Sequence, residues 1–224
     1  MRSISWRHGA LVVACVTAAI SLCACARPGP TPHRPGAGVT ADDIPVAHTP
    51  PGGYGNSFPP PVLSACVQPR APGAPDLRGI WRVVRAERGG KPVRVDDRIL
   101  NYVERIEQCG DRIVDMGGGT ISDARADGSA ENAVHDVSAF DYKTPIHVIA
   151  TYERGVFVLR PLLIPFVPLT IPPLKVTREL DADGHMIWTR PDRGGLKATL
   201  ARIGGPTDPY TRHDLPDSAH GGRE

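Results

Sequence analysis

Proline is placed unevenly along this chain, and its placement limits the possible fold more than any other feature. Of 24 prolines, 13 fall between residues 26 and 75, together with seven glycines. Proline fixes φ and removes a backbone donor, while glycine adds conformational entropy. Residues 25–75 are therefore expected to form neither helix nor ladder and to run as an extended, partly polyproline II linker. At roughly 3.1 Å per residue such a linker reaches on the order of 100 Å. Residues 205–224 are similarly polar and broken and read as a disordered tail. Any core must then lie in residues 76–204. With 41 % hydrophobic and 22 % charged residues, the chain has enough apolar side chain to build one. The net charge of +2 lacks the basic excess that phosphate neutralisation requires, so no nucleic-acid partner is expected. No apolar run approaches the roughly 20 residues of a spanning helix.

Residues 76–204 read as short strands punctuated by turn signals. Gly79 to Glu87 alternates before Gly89-Gly90. Tyr102–Gln108 and Arg112–Met116 flank Cys109-Gly110-Asp111, and Ile146–Tyr152 and Val156–Leu159 flank Glu153-Arg154-Gly155. Leu174–Leu180 and His185–Arg190 flank Asp181–Gly184, and Leu196–Ile203 follows Gly194-Gly195. Weaker candidates are Thr120–Arg125 and Ala133–Phe140. Strands joined mainly by hairpins predict an all-β fold, a small up-and-down antiparallel barrel of about eight strands, whose closure would remove exposed edges.

The first nine residues carry Arg2, Arg7 and His8, and residues 10–22 are an uninterrupted small-and-apolar stretch. This is the pattern of a secretory signal peptide. Leu22-Cys23-Ala24-Cys25 then resembles the bacterial lipobox. The resemblance implies that residues 1–24 are removed and that Cys25 becomes a lipidated N-terminus. It further implies an exported protein held on the cell membrane, and Ala26 after the cysteine points to the outer membrane, facing periplasm or surface, in a diderm organism. An ordinary cleaved signal is the other reading. Leu63-Ser64-Ala65-Cys66 fits the same four-residue pattern but has no apolar stretch before it. With the leader gone and Cys25 lipidated, Cys66 and Cys109 remain, either as a disulfide or as two free thiols. A bond closing that loop would contribute roughly 4 kcal/mol.

Gly79-Ile80-Trp81 resembles the G-x-W signature of lipocalins and the wider calycin group. Arg202, near the end of the last strand, stands where such proteins place an arginine across the tryptophan. Thr151-Tyr152-Glu153 is a looser echo of a lipocalin turn. The resemblance implies a barrel with a central cavity, Trp81 and Arg202 as a barrel-closing pair, and binding of a small apolar molecule or lipid without chemical turnover. A tryptophan plugging a barrel or sandwich of another family is the alternative. Residues 161–174 hold eight large apolar residues interrupted by five prolines, which predicts an irregular connection rather than a central strand. Leu163, Phe166 and Leu169 are its candidate ligand contacts if it forms a lid at the barrel mouth; covering the core or docking a partner are its other uses. A protein-interaction module, such as an envelope-assembly component or an inhibitor of a secreted hydrolase, is the competing function. Catalysis is not expected, since no nucleophile elbow, H-E-x-x-H or paired catalytic carboxylate motif appears. No cofactor is expected either, and His135, His147 and His185 lack ligand spacing for a metal. Gly117-Gly118-Gly119 reads as a turn, and the 22 arginines read as a solvated surface balanced by acids.

Overall fold

The computed structural model describes residues 38–130, 133–134, 146–164, 167–168 and 174–211. Among these, nine strands have five residues or more: β1 (Gly79–Arg88), β2 (Val103–Cys109), β3 (Arg112–Gly117), β4 (Thr120–Arg125), β5 (Ile146–Glu153), β6 (Val156–Ile164), β7 (Val176–Leu180), β8 (Met186–Arg190) and β9 (Leu196–Gly204). All pairings are antiparallel, and β9 returns beside β1 with Trp81 opposite Arg202 and Arg88 opposite Leu196. The strand order is β4-β3-β2-β1-β9-β8-β7-β6-β5. Between β4 and β5 a continuous ladder gives way to a single bridge, Asp127 to Thr151, beside a Gly128 N–H to Ala150 carbonyl bond of 2.9 Å. The chain therefore forms the expected all-β barrel, nearly closed.

Period-2 alternation explains what fills it. Inward-facing residues from all nine strands, among them Trp81, Ile106, Phe157, Met186 and Leu200, form one continuous buried cluster. Trp81 is completely buried, and its indole N–H donates to the Leu77 carbonyl at 2.7 Å. Packing of this kind is what a barrel of eight or nine strands has room for.

The expected boundary at Asp76 is wrong. The compact unit begins at Gly38, and residues 38–75 are a strap laid over the outer face of β2, β3 and β4 rather than a free linker. Ala41 and Leu63 of the strap are buried with Val114, Met116 and Ile121, the outward residues of those strands. The strap even holds a short 3-10 turn, Ala41–Asp43. Its prolines are no obstacle, because it is held by scattered N–H and carbonyl contacts and by apolar side chains rather than by a ladder. The tail is corrected in the same way. Thr211 bridges Ser57 and the Tyr210 ring packs 5.6 Å from Phe58, so residues 205–211 belong to the folded unit.

A third correction concerns the apolar segment at 161–174. Its first four residues continue β6, with Pro161 opposite Val148 of β5. β7 pairs only with Phe157, Val158 and Leu159, so Pro161 lies beyond that ladder, where a missing N–H is tolerated. Of the weak candidate at 133–140, Ala133–Val134 pairs with Ile146 and His147, and the rest lies outside the described residues.

Candidate functional site

The structure brings two predicted pairs together. Cys66 and Cys109 form a disulfide that ties the strap to the end of β2. The Arg202 guanidinium lies 4.7 Å from the centre of the Trp81 ring, and its Nη2 donates to the Asp76 carbonyl at 2.7 Å. Leu163 is in β6, though its side chain lies outside the description, as do Phe166, Leu169, His135 and Cys25 altogether. His147 is on β5 and His185 on the β7–β8 turn, where Asp181, Asp183 and His185 offer ligand atoms within 4.8 Å of one another. The Asp181 carboxylate there accepts the turn's own N–H groups from Asp183 and His185, at 3.0 and 2.8 Å. His147 is not part of this group.

A site that the sequence reading did not anticipate lies inside one barrel end. The β1–β2, β3–β4, β6–β7 and β8–β9 connections share that end, which we call the mouth. Just beneath it, Arg178 of β7 donates from Nε and Nη2 to both carboxylate oxygens of Glu104 on β2, at 3.2 and 2.9 Å. β2 and β7 are four steps apart around the barrel, so this ion pair spans the interior. The same Nη2 also donates to Asp115 of β3. Tyr102 donates its hydroxyl to Glu104 at 3.1 Å and stacks on Trp188, with ring centroids 4.9 Å apart. Arg178 and Arg190 both lie over the Trp188 ring, at 5.4 and 5.7 Å. Gly117 makes room for this arrangement, since a Cβ there would fall 2.1 Å from the Tyr102 hydroxyl.

The charges do not balance. Two carboxyl groups face Arg178, while Arg190 is engaged by Asp192 at 3.0 and 2.6 Å. Burial, reinforced by Glu104 and opposed by Arg178, pushes the Asp115 carboxyl up to about 8. Burial alone would favour a neutral Arg178, but the two carboxylates outweigh it and hold the guanidinium charged. Burial and the same carboxylates raise the Tyr102 phenol, and burial with Asp115 raises that of Tyr54. Within this setting, Asp115 Oδ1 and Trp188 Nε1 are buried without a hydrogen-bond partner among the described residues, as is the Tyr54 hydroxyl. Buried polar groups are ordinarily satisfied, so unpaired ones mark a place where a further polar group fits.

Sequence reasoning missed this cluster because β2 carries polar residues on both faces. Glu104 and Gln108 point inward with Ile106, while Arg105 and Glu107 point into the strap, so no alternation separated the two sets. Arg178 gave the better signal, placed between Val176 and Leu180 on the inward side of its strand. The solvated-surface reading of the arginines also fails for Arg112, whose side chain is 3 % exposed.

Fold and site together define a small antiparallel β-barrel with a filled interior and a polar mouth. No protein-family model and no curated protein matches the chain.

Proposed function

We propose that the protein is an exported, lipid-anchored envelope protein, and that its barrel acts by binding rather than by chemistry. The charged leader, apolar stretch and Leu22-Cys23-Ala24-Cys25 pattern support the anchor at Cys25. The observation that carries the binding role is the mouth cluster, where a buried carboxyl oxygen and a buried indole N–H have no partner among the described residues, above a packed core. Glu104 and Arg178 are engaged with one another, which suits them to positioning more than to proton transfer.

Because the interior is filled with side chains, the ligand belongs at the mouth and not in a deep cavity. The fitting class is a small molecule with an apolar body and a polar end that both donates and accepts, such as a hydroxyl or amide. Leu163, Phe166 and Leu169 are the proposed apolar contacts. Native mass spectrometry of the protein extracted from its source membrane should show a co-purifying small molecule that is lost in Asp115→Ala and in Trp188→Phe. Recovery of ligand-free protein under the mildest extraction would refute this reading. The filled interior also favours a second reading, an interaction module acting through its loops; co-purification of one envelope protein, abolished when residues 161–174 are replaced by a Gly/Ser linker, would establish it.

A further inference from the structure

The barrel end opposite the mouth carries a different chemistry. There the β2–β3 turn and the start of β1 meet the last part of the strap, and the Ala71 N–H donates to the Gly110 carbonyl at 2.7 Å. Pro69, Arg70, Ala71, Gly73, Ala74 and Arg78 frame a surface cleft of about 450 Å³. Arg78 grips the Asp76 carboxylate with Nε and Nη2 at 2.8 and 2.9 Å. Arg70 approaches the same carboxylate at 3.8 Å and donates from Nη1 to the Ala74 carbonyl at 2.6 Å. Arg202, stacked on Trp81, reaches the Asp76 main-chain oxygen from the other side. Two guanidiniums therefore converge on the Asp76 carboxylate and a third on its main-chain oxygen, so positive charge exceeds negative around this residue. Asp111 on the neighbouring turn is drawn to Arg125 at 3.0 Å, a guanidinium that it shares with Asp42. Arg70 and Arg78 remain partly open to solvent, with 28 and 44 % of their side chains exposed.

From this arrangement we infer that the cleft binds a phosphate group. The excess positive charge favours an anion, and the planar fork of arginine fits phosphate oxygens in a way that a point charge does not. Asp76 acts as the positioning residue, because its carboxylate and main-chain oxygen hold Arg78 and Arg202 in place. Its carboxyl is held down at about 2, chiefly by the hydrogen bonds from Arg78, so the array persists across the physiological range. Neither the mouth cluster nor the proposed anchor is needed for this inference.

The test is a phosphate titration of the full-length chain carrying Cys25→Ser, followed by the amide resonances of Ala71, Gly73 and Ala74 at low ionic strength. Saturable shifts are expected with inorganic phosphate and not with chloride at matched ionic strength. Arg70→Ala and Arg78→Ala should each weaken binding about 10-fold or more, as expected for the loss of a charge-assisted contact. Arg94→Ala, on the exposed β1–β2 connection where Arg94 pairs with Asp96, should leave it unchanged. Thermal melts identify any arginine variant that is unfolded, and Arg70→Gln then serves in its place. Co-sedimentation with phosphatidylglycerol vesicles but not phosphatidylcholine, lost in Arg70→Ala, would identify the source as a lipid headgroup. Phosphate binding without vesicle binding would identify a soluble phosphate. Shifts that match those of chloride, or that survive both arginine substitutions, overturn the inference.

Discussion

Arg112 shows how much one residue can organise. It donates bidentately to Asp123 at 2.8 and 2.7 Å, and its other N–H groups go to the carbonyls of Ala41, Ile44 and Pro45 at 2.9, 2.6 and 2.7 Å. All five donors are used, in a place where an unpaired one would be costly. Replacing it with methionine leaves Asp123 charged, buried and without its counter-ion. Urea denaturation of Arg112→Met should show a loss of about 3–5 kcal/mol, and adding Asp123→Leu should restore part of it. Asp115 is the opposite case, a carboxyl that burial holds protonated. Its folded value lies above the ordinary 3.8, so the folded state binds the extra proton. That contribution to stability is fully present below about 4 and is lost as pH rises towards about 8. Asp115→Asn should therefore gain stability relative to the parent between these limits, with the difference growing with pH. Equal melting temperatures for the two proteins at pH 4 and at pH 8 would contradict this.

At the scale of elements, the strap is what the barrel lacks elsewhere. β4 borders the interrupted seam, and an open strand edge invites unwanted pairing. Thr49 covers part of it, since its hydroxyl accepts from the Ile121 N–H at 2.9 Å and faces the Ile121 carbonyl at 3.4 Å. Leu63 N–H to Glu107 at 2.7 Å and Arg105 to the Pro59 carbonyl at 2.7 Å fasten the strap along β2. Thr49→Val keeps the shape and removes the hydroxyl, so it should cost about 1–3 kcal/mol and speed amide exchange at Ile121. The strap was illegible in sequence for a specific reason. Local composition reports whether a segment can build a helix or ladder with itself, and residues 38–75 make only isolated turns and a single bridge. They are held by partners up to 76 positions away, such as Asp123, whose carboxylate accepts the Ala47 N–H. The hairpins were legible because their turns are local. Arg154-Gly155, both at positive φ, lies between the strands it joins.

For the whole molecule, the position of the boundary changes its expected reach. With the folded unit beginning at Gly38, the proposed anchor at Cys25 is separated from it by residues 26–37. A chain of that length spans at most about 40 Å when fully extended, well short of the 100 Å that residues 25–75 implied. Limited proteolysis should accordingly leave a resistant fragment starting near Gly38. A chain truncated to begin at Asp76 would expose the outer face of β2, β3 and β4 and should aggregate. Cleavage of the intact protein throughout residues 45–70 at the rate of an unstructured peptide would contradict this assignment.

The sequence by itself determined the class of fold, because strand alternation and glycine turns act between near neighbours. It also singled out Cys66, Cys109, Trp81 and Arg202 as residues to watch. Tertiary structure decided the rest: that a proline-rich segment is part of the folded unit, that the barrel is filled, and that Glu104, Asp115 and Arg178 meet beneath one mouth. Those outcomes depend on which residues from distant strands face each other after closure. Desolvation then sets the chemistry of the groups that do, and it acts only on neighbours in space.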